Sequence, residues 1–543
     1  MLIDLHRSRL PVNLAADVLV VGAGAVGLSL AVDLVRYGAE VIVVEAGPAG
    51  VEKQSQEFFE AASWHGYPLE GLHVGRFRAL GGTTNVWPGQ LVPFDPIVFE
   101  NRPWVSDHHW PIDHATLGPY YEKAFDILGL QRRKPDDEVW RLLSAPLPDM
   151  GEDLDLFLTR WTPEPNFSVL FQKEIAQHPK LHVIVNATVT SLSLTDDRQN
   201  VRQVKIHSSN GTTHCLSARD VVLANGTIEI ARLLSLPLSN GTRPPWADNS
   251  WLGRGFTDHV DAYAGSVEPI DEARFHALFD NIMLKGLKYC PRIKLSQTAQ
   301  RRERLLGIAA SFLFNSKYKE DLDRLKVLVK SLLRGKIDSG VLAIPGRTVP
   351  LARIALPMAL RYLFYRRTYN HADRGIQLRL SSEQVPMKTS RLHLRPDRDS
   401  LGMPQVDLEW LIDGAELETM AQFCEKISAL FRRENLAHID LSPLLVARDR
   451  AFLTGIDDGN HQMGMARMSS TAGEGVVDAD LRVHGSDNLY VAGAATFPTT
   501  GFANPTLTAI ALGLRLSDHL MAEQRGSSWH ISPDACDRQL RWA

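Results

Sequence analysis

The amino-terminal part of the chain shows the clearest hydrophobic pattern. Asp17–Val21 is short, continuous and mostly β-branched, which predicts a strand buried on both faces of a parallel sheet. Apolar residues at helical spacing follow over Leu28–Tyr37, and Gly38 is placed to end that helix. Glu40–Val44 repeats the pattern of a buried strand. The order of strand, helix and strand predicts an α/β unit with a parallel sheet.

The turn between the first strand and the helix is rich in glycine. Gly22, Gly24 and Gly27 form a G-x-G-x-x-G pattern. In such a turn the first glycine allows a tight bend, the second allows a pyrophosphate to approach, and the third allows close packing of helix on strand. Glu45 ends the second strand, where a carboxylate accepts hydrogen bonds from ribose hydroxyls. The unit predicts a dinucleotide site but does not distinguish FAD from NAD. Glu45 disfavours NADP, because a carboxylate repels the 2′-phosphate of that cofactor.

Buried-strand patterns return later in the chain and divide it. Leu181–Leu194 and Val221–Leu223 look like strands, 261–459 carries longer helical patterns, and 460–520 combines turns, strands and one apolar helix. We therefore predict an α/β fold, α+β overall, with two interleaved domains. The predicted nucleotide-binding domain comprises 1–95, 186–260 and 460–543, and the predicted second domain comprises 96–185 and 261–459.

Composition and charge narrow the functional classes. Of 543 residues, 44% are hydrophobic and 22% are charged, as in folded globular proteins, and the net charge of −4 disfavours broad nucleic-acid binding. Cys215, Cys290, Cys424 and Cys536 form no CxxC pair, so no zinc or iron–sulfur ligand set is predicted. HExxH, GxSxG and P-loop motifs are also absent from the sequence, and no metal site is expected. Without a signal-peptide pattern or a long apolar run, a cytoplasmic location is expected.

The carboxyl-terminal motifs carry a family resemblance. They are His461-Gln462-Met463-Gly464, Gly475-Val476-Val477-Asp478, Asn488–Gly493 and Ala503–Thr508, together with Gly81-Gly82 and Trp87 near the amino terminus. In order and spacing they resemble the glucose–methanol–choline (GMC) family of FAD oxidoreductases, nearest to the sugar-oxidising branch of pyranose oxidase and the fructose-dehydrogenase-like flavoproteins. The resemblance implies a Rossmann-like FAD-binding domain and a substrate domain built on an antiparallel sheet.

The resemblance also implies which residues meet the cofactor. FAD is expected in the site formed by Gly22, Gly24, Gly27 and Glu45. Further cofactor contacts are implied for Gly81, Gly82, Thr83, Asn85, Val86, Trp87, Val189, Ala224, Gly493, Ala494, Asn504, Pro505 and Thr506. Pyranose oxidase links its flavin to a histidine at the position of Val86, and valine has no nucleophile, so non-covalent FAD is expected. For Trp87, packing against the loop and a flavin-facing role both remain open.

His461 and Asn504 are the candidate catalytic pair. Oxidising an alcohol requires a base for the hydroxyl proton, and neutral imidazole suits this because its ordinary pKa is about 6.5. Asn504 falls where the family places its second active-site residue, and its amide donates to the substrate oxygen without competing for the proton. Asp258-His259 is interpreted as structural.

The expected reaction is oxidation of a hydroxyl of a sugar, glycoside or similar alcohol to a carbonyl, with hydride passing to the flavin and the proton to His461. The alternatives are a redox-neutral lyase, an NAD(P)H-using flavoprotein monooxygenase, and an FAD-bound protein without activity. The sequence does not distinguish an oxidase from a dehydrogenase. The electron acceptor is therefore oxygen, a quinone or a redox protein.

A basic, apolar insert is expected at 301–370. This range holds fifteen Lys and Arg residues and five Asp and Glu residues, and apolar runs lie between the charges. Such a segment fits an anionic membrane surface, a redox partner or an oligomer contact, and equally a cover buried against the body. A location peripheral to the membrane is therefore an alternative to a freely cytoplasmic one.

Overall fold

The computed structural model describes residues 1–8, 10, 14–144, 147–318, 360–362 and 364–524. Its first layer is an eight-stranded sheet in which most neighbours are parallel. The strands are β1 (Leu2–Asp4), β2 (Ala15–Val21), β3 (Val41–Val44), β7 (Leu181–Val185), β8 (Ala187–Leu194), β9 (Val201–Ser208), β10 (Thr213–Leu223) and β20 (Leu489–Val491). Their order is β1-β7-β3-β2-β10-β9-β8, with β20 beside β10.

The second layer is a nine-stranded antiparallel sheet. Its strands are β5 (Gln90–Leu91), β6 (Leu154–Trp161), β11 (Val260–Pro269), β12 (Ile282–Leu284), β13 (Leu287–Leu295), β14 (Ile308–Phe314), β15 (Ile376–Ser382), β18 (Ala437–Leu441) and β19 (Asp457–Asp458). A third, three-stranded sheet consists of β4 (Ser63–Gly66), β16 (Arg391–Arg398) and β17 (Pro404–Trp410).

Thirteen α-helices occur within the described ranges. They are α1 (Ala25–Arg36), α2 (Lys53–Gln56), α3 (Gly71–Val74), α4 (His114–Ile127), α5 (Asp136–Leu143), α6 (Phe167–Leu170), α7 (Gln172–Gln177), α8 (Thr227–Leu234), α9 (Glu272–Phe279), α10 (Gln297–Glu303), α11 (Ala415–Arg433), α12 (Pro443–Val446) and α13 (Pro505–Gln524). Helix α1 packs against α13, and α13 packs against α4. The predicted fold class is confirmed: a Rossmann-like layer is interleaved with an antiparallel one.

Two strands lie outside the segments predicted for their layer, and a third lies in the predicted insert. β7 was expected in the second domain (96–185), yet it pairs in parallel with β1 and β3 of the first sheet. β5, expected in the first domain (1–95), pairs with β6 of the antiparallel sheet. β14 was expected within the basic insert at 301–370, yet it is a central strand between β13 and β15. The charged part of that insert at 319–359, and residues 525–543 of the last predicted segment, lie outside the described residues.

A buried ion pair joins the layers. Arg102 donates through Nη1 and Nη2 to the two carboxylate oxygens of Glu383, each at 2.7 Å, and both side chains are almost completely buried. The same carboxylate accepts the backbone N–H groups of Gly307 and Gly501. Burial opposes ionisation, but Arg102 and these two donors outweigh it and lower the pKa of Glu383. The pair therefore fastens the segment before Asn504 to the antiparallel sheet.

Replacing Glu383 by glutamine is expected to destabilise the protein by about 3–5 kcal/mol, because the guanidinium of Arg102 stays buried without its counter-charge. The matched control is Glu100→Gln. Glu100 also makes two contacts with an arginine, Arg301, but that pair is more than 40% exposed, and its loss is expected to cost about 0–1 kcal/mol. Thermal unfolding midpoints of both variants test this; equal shifts would contradict it.

Candidate active site

A continuous cavity of about 700 Å³ runs between the two large sheets. It begins where β2, β3, β10 and β20 end, since the carboxyl ends of these paired strands lie side by side. Of the predicted site residues, its wall contains Gly22, Gly24, Glu45, Gly82, Thr83, Val86, Trp87, Val189, Ala224, His461, Gly493, Ala494, Asn504, Pro505 and Thr506. Gly27, Gly81 and Asn85 do not border it.

The glycines at the strand ends have two separate roles. A Cβ on Gly27 would lie 2.0 Å from the carbonyl oxygen of Gly22, and a Cβ on Gly22 would lie 2.7 Å from that of Ala224. Gly22 also has a φ of +101°, which favours glycine. By contrast, no atom from elsewhere in the described chain lies within 4 Å of a Cβ built on Gly24 or Gly493. These two glycines leave open a backbone-lined space of the kind that a dinucleotide pyrophosphate requires.

Glu45 is held at the end of β3. Its Oε2 accepts the backbone N–H of Ala23, and its Oε1 accepts that of Gly47, both at 2.9 Å. Burial raises its pKa, against the effect of these donors and of Arg78. Each carboxylate oxygen keeps a second lone pair for a ribose hydroxyl. The residues present therefore fit the adenosine half of FAD.

Arginine and phenylalanine side chains complete this end of the cavity, and the sequence did not indicate them. Arg76 forms an ion pair of 3.1 Å with Glu229 and stacks on the Phe59 ring, and Arg78 stacks on Phe58. All four border the cavity. They lie outside any recognisable motif, so only the weak signal of alternating arginines at 76 and 78 was available.

The loop over 81–87 builds one wall of the cavity. The Asn85 amide donates to the carbonyls of Leu80 and Gly82, so this side chain stabilises the loop from within. Trp87 borders the cavity, donates to the Pro165 carbonyl and packs edge-on against a phenylalanine ring. Its flavin-facing role stays a prediction. The Val86 side chain is 53% exposed.

His461 and Asn504 come together at the other end. The Asn504 side-chain nitrogen lies 2.9 Å from Nε2 of His461, and Nδ1 of His461 lies 2.9 Å from Nδ1 of His259. Asp258 holds the histidine loop in place, because its carboxylate accepts the backbone N–H groups of Gly459 and His461. Asp258 therefore supports the loop, in keeping with its interpretation as a structural residue. His259, interpreted in the same way, contacts the candidate base directly.

A chain of hydrogen bonds fixes the proton positions on His461. Arg292 can only donate, and it donates to Oε1 of Gln90 at 3.1 Å. The Gln90 nitrogen must then face Asn504 Oδ1, at 3.1 Å, so the Asn504 nitrogen faces His461. Nε2 of His461 therefore accepts, and its Nδ1 carries the proton towards His259. This tautomer leaves the lone pair that a general base needs on the nitrogen at the cavity.

His461 is kept neutral by its surroundings. Enclosure by protein lowers its pKa well below the ordinary value, and the neighbouring His259, Arg379 and Arg292 lower it further. Both arginines border the same cavity. The imidazole is consequently unprotonated, and able to accept a proton, throughout the neutral range.

The rate of flavin reduction is expected to stay constant from pH 8 down to about pH 6.5, because the lowered pKa of His461 puts the acid limb below that ordinary value. Removing a nearby positive charge raises that pKa, so Arg379→Gln is expected to move the acid limb to higher pH. Single-turnover rates across the pH range measure this. An acid limb above pH 7 in the unaltered protein would contradict a depressed pKa.

Polar side chains of the antiparallel sheet form the wall opposite the strand ends. Arg379 and Ser381 share one face of β15, Ser311 is paired with Arg379, and Asp261 is paired with Ser381. On β13, Arg292 precedes Ile293, which pairs with Ala310, so Arg292 lies on the same face as Ser311. All five border the cavity. Hydrophobic patterns do not indicate these residues, because a face shared by four strands depends on the register of those strands.

Among the described residues, no helix has the length and apolar character that crossing a membrane requires. No group of three or more His, Cys, Asp or Glu side chains that could hold a metal ion occurs among them either.

Two family models match separate parts of the chain. Residues 386–513 match the carboxyl-terminal domain of GMC oxidoreductases, and residues 17–80 match the FAD-dependent oxidoreductase domain. The first range contains His461 and Asn504, and the second contains Gly22, Gly24 and Glu45. The two matches therefore coincide with the two ends of the cavity.

Known proteins resemble the chain over nearly its whole length. It is 21% identical to the fructose dehydrogenase large subunit of Gluconobacter japonicus, over 94% of this chain and 98% of that protein. It is 24% identical to paromamine 6′-oxidase of Streptomyces fradiae, over 92% of this chain and 90% of that one. Among solved structures, an FAD-dependent oxidoreductase from Chaetomium thermophilum matches with a TM-score of 0.57 and 15% identity, over 94% of this chain and all of that one. The names are those of oxidoreductases, and support neither the lyase nor the monooxygenase alternative. The chain therefore matches the glucose–methanol–choline oxidoreductases over residues 386–513 and the FAD-dependent oxidoreductases over residues 17–80.

Proposed function

We propose that the protein oxidises a hydroxyl group of a sugar, a glycoside or a similar alcohol to a carbonyl. The observation that carries this proposal is the pairing of His461 Nε2 with the Asn504 amide inside the cavity that the cofactor shares. The relatives support the substrate class, since their names include a fructose dehydrogenase and a paromamine 6′-oxidase.

Bound FAD supplies the acceptor for the hydride that leaves the carbinol carbon. Every proton-handling group belongs to the chain. The substrate hydroxyl is positioned between the His461 imidazole and the Asn504 amide, replacing their direct hydrogen bond. Nε2 of His461 takes the hydroxyl proton, and the Asn504 amide donates to the oxygen as its negative charge grows.

The cofactor is expected to be held without a covalent bond, because valine at position 86 has no nucleophile and lies at the cavity wall. Acid precipitation of the purified protein tests this directly. The flavin is expected to stay in the supernatant, and a flavin that precipitates with the polypeptide would contradict the proposal.

Anaerobic stopped-flow spectroscopy tests the reaction itself. The holoenzyme is mixed with sugars, glycosides, polyols and simple alcohols, and loss of the oxidised flavin absorbance is followed. A productive substrate is expected to bleach the flavin, more slowly when the carbinol carbon carries deuterium. A panel in which no compound bleaches the flavin would overturn the proposal. Reoxidation with air, a quinone or a redox protein then identifies the electron acceptor.

A further inference from the structure

We propose that the substrate carries an oxyanion group, a carboxylate or a phosphate, which Arg292 and Arg379 bind on the cavity face of the antiparallel sheet. This inference rests on the proposed function and specifies its substrate class as a polyhydroxy acid or a sugar phosphate. It follows from the charges, the free donors and the location of that wall.

Arg292 has unused donors. Its Nη2 donates to Gln90, but none of its other nitrogens has a hydrogen-bond partner in the described part of the chain. No carboxylate among those residues forms an ion pair with Arg292. Its Nε and Nη1 are also not among the side-chain atoms that are both inaccessible to solvent and without a hydrogen-bond partner. These donors are therefore accessible from the cavity that Arg292 borders.

The wall also carries an uncompensated positive charge. Arg379 is neutralised by Asp261, whose Oδ2 lies 2.6 Å from its Nη2. Arg292 has no such partner. Enclosure by protein lowers its pKa, because the charged guanidinium loses hydration free energy when it is kept out of water. An oxyanion from the substrate would offset that cost.

The geometry of the wall suits an oxyanion. A guanidinium presents parallel N–H donors that match the two oxygens of a carboxylate or phosphate. Ser311 and Ser381 lie on the same face, and their hydroxyls make no hydrogen bond to the described residues. These hydroxyls are free to donate to the same group.

Arg292 also links this anion site to the reacting atoms. Through Gln90 it is connected to Asn504, and Asn504 contacts His461. A substrate anchored by its anionic group at Arg292 thus reaches the catalytic pair within one cavity.

Matched substrates test the inference on the holoenzyme. The pairs are D-glucuronate with D-glucose, D-gluconate with D-glucitol, and D-glucose 6-phosphate with D-glucose. We expect the anionic member of at least one pair to reduce the flavin with a second-order rate constant at least about tenfold higher. Arg292→Gln is expected to remove this preference by about 10- to 100-fold, and Arg292→Lys to keep part of it.

Two control variants separate binding from positioning. Gln90→Leu breaks the hydrogen-bond chain but keeps the charge, so it is expected to slow both members of a pair equally and leave their ratio unchanged. Arg243→Gln removes an arginine that is 71% exposed and does not border the cavity, so it is expected to change neither. A ratio that Arg292→Gln leaves unchanged, or a shift of the flavin midpoint potential alone, would overturn the inference.

Equilibrium binding measurements test the anion site independently of turnover. Calorimetric titration of the holoenzyme with sodium acetate and with inorganic phosphate is expected to show at least one binding isotherm, weakened about tenfold or more by Arg292→Gln but not by Arg243→Gln. The stronger of the two ligands identifies the oxyanion. No binding, or equal binding by both variants, overturns the anion site, whereas an unbleached flavin with intact anion binding overturns only the proposed function.

Discussion

Replacing His461 by alanine is expected to slow flavin reduction by about 10²- to 10⁴-fold, the usual contribution of a positioned general base. The neutral imidazole takes the hydroxyl proton as the hydride leaves, and no other histidine borders the cavity among the described residues. His259 touches His461 through Nδ1 but lies outside the cavity wall, so it cannot replace the base directly. Anaerobic single-turnover kinetics with a productive substrate measure the loss.

The control for this variant is His438→Ala, because His438 is exposed on β18 and does not border the cavity. Its rate is expected to match that of the unaltered protein. Flavin content and the thermal midpoint of His461→Ala must also remain near normal, which separates lost chemistry from lost structure. If the rate of flavin reduction fell by less than about threefold in His461→Ala, another group would have to accept the hydroxyl proton, since a general base contributes at least about 10²-fold.

The sequence was most informative where chemistry depends on local geometry. A strand, a tight glycine turn and a helix are adjacent in the chain, so the strand β2, the helix α1 and the position of Glu45 could all be predicted from neighbouring residues. The pairing of His461 with Asn504 was different. These residues are 43 positions apart, and only the family motifs indicated that they would meet.

Residues that act through strand register could not be predicted. Gln90 and Asn504 are separated by 414 positions, and their contact depends on where β5 joins the antiparallel sheet. Arg292 and Arg379 face the cavity because of the register of β13, β14 and β15. Hydrophobic periodicity predicts that a segment forms a strand, but it does not predict which strand it pairs with, and β7 was assigned to the wrong domain for the same reason.

Replacing Gly24 by alanine is expected to weaken FAD binding by about 10- to 100-fold without unfolding the protein, because the added methyl group occupies cofactor space. Gly24 borders the cavity, its φ of −81° is accessible to alanine, and no atom beyond the adjacent residues lies within 4 Å of the new Cβ. Gly27→Ala differs, because its Cβ would lie 2.0 Å from the Gly22 oxygen and must disturb the packing of α1 on β2. Gly50→Ala is the matched control, since Gly50 has open space around it away from the cavity.

FAD titration of the apoprotein, together with its thermal unfolding midpoint, distinguishes these outcomes. Gly24→Ala should lower FAD affinity alone, Gly27→Ala should lower both FAD affinity and the thermal midpoint, and Gly50→Ala should lower neither. Normal FAD affinity in Gly24→Ala would show that the cofactor does not approach the backbone at this turn.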